Sequence, residues 1–162
     1  MLATLCRKGL AASTPPDRPA AGDTAGIKQA SYGPMEVKIS PLRVHADARG
    51  VVFEPLEPEL LSGWRNVHAV VTEPGAIRGN HRHVRGTEIS AILGPALVRY
   101  RDESGVHDVE VPTNECWRFI FPAGVAHAFK NIGTRPFVLV SFNTVEHDPD
   151  HPDVAREELI AG

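Results

Sequence analysis

The sequence predicts an all-β chain folded as an antiparallel sandwich or barrel, and two observations predict it. Short runs of alternating apolar and polar residues recur between turns rich in Gly, Pro, Asn and Asp. No helical period intervenes between those runs, so the parallel sheets that need helical crossovers are disfavoured.

Taken in order, residues 37–44 read as a strand interrupted by Pro41, whose missing N–H suits a sheet edge. Asp47-Ala-Arg-Gly50 is a turn, and residues 51–53 continue the sheet. Residues 64–72 alternate, with Val67, Ala69 and Val71 on one face and Asn66, His68 and Val70 on the other. Strands at 88–93 and 96–101 are divided by Gly94-Pro95, and Glu103-Ser-Gly105 turns into a strand at 106–111. Two more strands lie at 116–121 and 137–143, whereas residues 154–160 read as one short helix. Trp64, Trp117, Phe119, Phe121 and Phe142 are assigned to the core or to a dimer face.

With 162 residues the chain suits a single domain with enough apolar content for one core. Residues 1–34, rich in Pro, Gly and Ala and without apolar periodicity, are expected to be a disordered extension. Residues 35–147 are expected to form the folded domain, and the acidic, proline-broken stretch 148–162 a tail. A net charge of −3 with no basic stripe argues against a nucleic-acid partner. No apolar run is long enough to span a membrane. Cys6 and Cys116 do not make a disulfide framework, which points to a reducing, cytoplasmic setting.

Chemistry concentrates in Gly75-Ala-Ile-Arg-Gly-Asn-His81-Arg-His83-Val-Arg-Gly-Thr-Glu88 and in Pro122-Ala-Gly124-Val-Ala-His127-Ala-Phe-Lys-Asn131. Residues two apart in a strand share a face, so His81 and His83 point the same way. Glu88 returns after the Arg85-Gly86 turn, and His127 arrives from a separate hairpin. Three imidazoles and one carboxylate are a complete ligand set for zinc, the leading expectation, or for iron, nickel or manganese.

These two stretches resemble the paired motifs of the cupin superfamily. Gly75, His81, His83 and Glu88 fit the first, with Gly94 one residue early. Pro122, Gly124, His127 and Asn131 fit the second, with Cys116 where a glycine is usual. The resemblance implies a double-stranded β-helix: a jelly roll, or cupin barrel, of the RmlC-like kind. It also implies that His81, His83, Glu88 and His127 bind one divalent metal, and that the protein is a homodimer.

The run Ile77-Arg-Gly-Asn-His81-Arg-His83, with Thr87-Glu88, residues 96–101 and the segment 141–153, is similar to the C-terminal cupin domain of capsular-polysaccharide enzymes. Those enzymes epimerise and reduce a keto intermediate of a nucleotide-linked amino sugar, and the cupin performs the epimerisation. Arg78-Gly79-x-His81 resembles the Arg-Gly-x-His of keto-deoxyhexose epimerases. The implied activity is C3 epimerisation of a nucleotide-linked 4-keto-6-deoxy sugar in polysaccharide biosynthesis, an isomerase reaction. The chain offers no glycine-rich dinucleotide fingerprint, so the reductase half is not expected.

Epimerisation beside a ketone needs a base and a stabiliser for the enolate oxygen. His81, His68 and Tyr100 are the candidate proton carriers, and His81 is free for that work only if its ring does not hold the metal. Arg78, Arg99, Arg101 and Asn131 are the candidate substrate contacts, the arginines through bidentate bonds to a diphosphate. Each has a plain alternative: His68 a hydrogen-bonded barrel residue, Tyr100 a strand former, the arginines solvated edge charges. Two other functions use the same ligands, an iron-dependent dioxygenase and a non-catalytic module that binds a small molecule.

Overall fold

The computed structural model describes residues 35–162. The expected extension 1–34 lies outside the described residues. The chain forms β1 (Lys38–Leu42), β2 (Val44–Asp47), β3 (Gly50–Phe53), β4 (Asn66–Thr72), β5 (Ile77–His83) and β6 (Glu88–Leu93). It continues with β7 (Ala96–Asp102), β8 (Gly105–Val111), β9 (Cys116–Phe121), β10 (Ala126–Asn131), β11 (Phe137–Asn143) and β12 (Val154–Arg156). One sheet runs β1-β9-β6-β11-β4 and the other β12-β5-β10-β7-β8, with β2 and β3 as a separate hairpin. All pairings are antiparallel, and the two sheets make the expected jelly roll.

The inner faces are set by strand alternation. Phe137, Leu139, Ser141 and Asn143 of β11 are buried, while Val98 and Tyr100 of β7 turn inward from the opposite sheet. Phe119, Phe121 and Phe129 fill the middle, each at 2% exposure or less. Burying each such ring contributes roughly 1.5–3 kcal/mol. Of the two readings for these aromatics, core or dimer face, Phe119 and Phe121 take the core. Pro41 sits on the β1 edge as expected, since β1 pairs only with β9.

The C-terminal stretch departs from its expectation. Residues 154–156 pair antiparallel with β5, Val154 opposite His83 and Arg156 opposite His81. The expected helix is thus a strand. Val154-Ala-Arg156 alternates across an open sheet edge whose unpaired backbone groups can be satisfied by a partner strand. Asn80 fastens the residues beyond β12. Its Oδ1 accepts the N–H groups of Leu159 (2.9 Å) and Ile160 (3.0 Å), and its Nδ2 donates to the Ile160 carbonyl (2.9 Å).

β5 carries one irregularity that shapes everything near it. The register with β10 slips between His127 and Ala128, pairing His127 with His81 but Ala128 with Gly79. Asn80 is the extra residue of a bulge, with φ 55° beside Gly79 at φ 80°. Only glycine fits at Gly79, because a Cβ there would lie 2.7 Å from the His127 carbonyl oxygen. The bulge brings Arg78 to the inner face opposite Phe129, while His81 and His83 face inward further along.

Among the described residues no helix is long and apolar enough to cross a membrane.

Candidate metal centre and active-site cavity

β5 presents His81 and His83, β6 opens on Glu88, and β10 supplies His127. Their ligand atoms all lie within 4.8 Å of one another. Ring centroids are 4.8 Å apart for His81 and His127, and 5.1 Å for His81 and His83. His127 is wholly buried and stacks on Phe121 with centroids 4.3 Å apart.

The hydrogen bonds aim these groups at one point. His127 Nδ1 bonds the Val125 carbonyl at 3.2 Å, which leaves Nε2 as the acceptor-side nitrogen. The buried Nε2 atoms of His127 and His81 have no hydrogen-bond partner. Orphaned lone pairs in an interior are costly unless something electrophilic meets them. Glu88 Oε1 accepts the hydroxyls of Ser90 (2.6 Å) and Ser141 (3.0 Å), and Oε2 accepts His83 Nε2–H at 2.6 Å. The donor set and the two unpartnered nitrogens suit a divalent cation.

Electrostatics favour the ligating forms. Burial pushes His127 down to about 4, so it is neutral at pH 7, and its 3.8 Å approach to Glu88 Oε1 is not an ion pair. Burial also lowers His81. Burial alone would raise Glu88, but the hydrogen bonds from His83 and Ser90 outweigh it and hold the carboxyl below its ordinary range.

These shifts make stability depend on pH. A buried histidine held near 4 instead of 6.5 stabilises the fold fully above 6.5, and that stability is lost as pH falls toward 4. The gap is worth about 3 kcal/mol. Glu88, also lowered, adds loss in the same direction at still lower pH. Denaturant unfolding of metal-free protein should give about 2–3 kcal/mol less stability at pH 4.5 than at pH 7. The slope should shrink in His127→Gln; an unchanged slope there would place the acid sensitivity elsewhere.

Three of the four, His81, His83 and Glu88, line a cavity of about 620 Å³. His68 and Val70 of β4 line it, with Arg78 and Gly79 of β5 and with Phe129 and Leu139. The segment after β11, including Val145, His147, Asp148, Asp153 and Val154, forms the remaining wall. His68 is close enough to His81 that a charge on one opposes a charge on the other.

Other expected site residues lie elsewhere. Tyr100 is buried, stacks on His107 at 4.7 Å and does not line the cavity, because strand alternation directs it into the core. Arg99 pairs with Asp108 (2.6 Å) and Arg101 with Glu157 (2.7 Å), so neither reaches the cavity. Asn131 is buried and braces its own turn, donating to the Thr72 and Arg135 carbonyls and accepting Gly133 N–H. These four assignments are corrected by the geometry. Asn143, Ser141 and Asp153 were missed as site residues; the likeness of segment 141–153 to the capsular cupin was the available signal.

Residues 45–155 match the polysaccharide biosynthesis C-terminal domain family. The chain is 27% identical over 130 residues to the spore coat polysaccharide biosynthesis protein SpsL of Bacillus subtilis, covering 74% of this chain and 86% of that one. It is 28% identical over 143 residues to the probable low-salt glycan biosynthesis epimerase Agl13 of Haloferax volcanii, covering 75% and 85%. The capsular polysaccharide assembling protein CapF from Staphylococcus aureus superposes with a TM-score of 0.55 at 24% identity over 74% of this chain. The match takes in only 33% of CapF, so this chain spans about a third of that protein. QdtA, a sugar 3,4-ketoisomerase from Thermoanaerobacterium thermosaccharolyticum solved with TDP, gives a TM-score of 0.57 at 16% identity, over 75% of this chain and 88% of that one. At these identities the two structures speak for the fold alone, the jelly roll described above. The match over residues 45–155 settles the lineage: the chain belongs to the polysaccharide biosynthesis C-terminal domain family.

Proposed function

We propose that this protein is a nucleotide-sugar epimerase of polysaccharide biosynthesis that exchanges the C3 proton of a nucleotide-linked 4-keto-6-deoxy sugar. The carrying observation is a cluster of four metal-competent side chains opening on a cavity that also presents His68 and Arg78. The relatives named for glycan epimerisation and spore coat polysaccharide synthesis support the same class of reaction.

His81, His83, Glu88 and His127 would hold a divalent cation, zinc first among the choices. When bound there, it would supply Lewis-acid stabilisation to the enolate oxygen that forms as the proton leaves. His68 is the base in this scheme, since its ring lines the cavity and is not spoken for by the ligand cluster. It takes the C3 proton, leaving the electron pair in the enolate; a proton from solvent is delivered to the opposite face of C3, and His68 releases its own proton to solvent. Arg78 grips the diphosphate. Val70, Phe129 and Leu139 give an apolar wall that suits a 6-deoxy methyl group. The test is incubation with UDP- and dTDP-linked keto sugars in heavy water, followed by NMR. Deuterium at C3 is the expected result; oxygen consumption by iron-loaded protein without exchange would favour the dioxygenase.

A homodimer in a cytoplasmic setting belongs to this proposal. Its contact, first expected along the edge strand at residues 37–44 with the aromatics of 116–121, is placed here at the open β4 edge, flanked by the exposed Val67, Val71 and Val138. Light scattering should give twice the chain mass, and a monomer at high micromolar concentration would remove the dimer.

A further inference from the structure

His83 is the one histidine of the cluster whose two ring nitrogens both face protein partners. Nε2 lies 2.6 Å from Glu88 Oε2. Nδ1 lies 3.1 Å from the Asn143 amide nitrogen and 3.6 Å from Asp153 Oδ2. The Asn143 amide cannot be turned around without loss, because its Oδ1 accepts the Val145 N–H at 2.8 Å. Asn143 therefore donates to Nδ1, and a His83 ring proton sits on Nε2, pointing at Glu88.

That arrangement is closed to a cation at Nε2. A neutral histidine that ligates through Nε2 must carry its proton on Nδ1, and that N–H needs an acceptor. Asp153 is the only carboxylate within 4.0 Å of Nδ1 among the described residues. Its Oδ1 accepts Arg85 N–H (2.9 Å) and Arg85 Nε (3.1 Å), and its Oδ2 accepts Gly86 N–H (2.9 Å). Oδ2 keeps a lone pair free. The carboxylate is buried and held from three sides, and closing its distance to Nδ1 by roughly 0.7 Å would make an ordinary hydrogen bond. A Cβ on Gly86 would lie 2.5 Å from Asn143 Oδ1 and 2.8 Å from Asp153 Oδ2, so the turn leaves just enough room for both partners.

We propose that Asp153, carried on the C-terminal segment, is a positioning residue for His83: it accepts the Nδ1 proton when the ring turns Nε2 to a cation, and Asn143 serves the alternative tautomer paired with Glu88. One proton leaves Nε2 for solvent and one arrives at Nδ1, so His83 neither gains nor loses charge. The segment that walls the cavity is thereby wired to the ligand cluster. This inference rests on the metal ligands named above.

The test is zinc affinity by chelator competition, the absorption spectrum of the cobalt-substituted protein, and the side-chain nitrogen–proton NMR spectrum of His83. Asp153→Asn should weaken zinc binding by about 10–100-fold and alter the cobalt spectrum. Asp150→Asn, an exposed acid on the same segment, should do neither. In the wild type, His83 should carry its proton on Nε2 without zinc and on Nδ1 with it. Unchanged affinity in folded Asp153→Asn, or an Nε2 proton persisting in the zinc-loaded wild type, overturns the proposal. Should Asp153→Asn fail to fold, the wild-type spectrum alone decides. A wild type that takes up no zinc would sink the metal-ligand assignment itself, a different failure from zinc bound normally without Asp153.

Discussion

Replacing His127 with glutamine should abolish stoichiometric zinc binding, and His83→Gln should do the same. Both residues are buried, and His127 approaches the cluster from β10 with Nε2 unpartnered and its other nitrogen tied to Val125. Glutamine keeps most of the volume beneath Phe121, so the fold should persist while the nitrogen ligand is lost. The fall in affinity should exceed the roughly 10–100-fold that residues merely touching a ligand cost. Saturating zinc at about a thousand times its dissociation constant should add about 4 kcal/mol to the wild type and nothing to either variant. Metal analysis together with thermal melts with and without chelator checks this. Stoichiometric metal in both variants would remove the site.

The second large effect is on proton exchange. His68→Gln should slow deuterium incorporation at C3 by about 10²–10⁴-fold, the usual share of a general base. Substrate binding should persist, because the glutamine leaves the cavity wall in place. Arg78→Ala should act mainly on KM, as expected of a residue that grips the diphosphate equally before and during reaction. Tyr100→Phe should leave exchange intact, since that ring packs in the core away from the cavity. Full exchange in His68→Gln with loss in His81→Gln would transfer the base to His81 and make the metal structural.

Much of the fold was legible because its signals are local. Alternation set most of the strands, and β6, β9 and β11 fall on their expected bounds. The clustering of His81, His83, Glu88 and His127 was legible too, since two-residue spacing fixes a shared face for the two strand histidines. The substrate residues were harder. Arg99 and Arg101 look like phosphate grips in sequence, but their fate is set by Asp108 and Glu157, partners that no local pattern announces. Asn131 belongs to a motif, yet its amide is used up on its own turn and on the Thr72 carbonyl at the end of β4. The 154–160 helix failed because an open edge of β5 recruits the segment, a tertiary demand that overrides a short stretch's own preference.

The bulge at Asn80 has a consequence for heredity. In a regular strand an even-numbered arginine and odd-numbered histidines can never share a wall. Here they do, by virtue of one inserted residue. Loss of that single codon would put Arg78 and the two histidines at even spacing in a regular strand, still on one face and opposite the same β10 partners, so a lineage could straighten β5 in one step with that wall intact. The same step would remove the side chain that fastens Leu159 and Ile160. The inserted residue is thus tied to the hold on the C-terminal segment, while the shared wall outlives it.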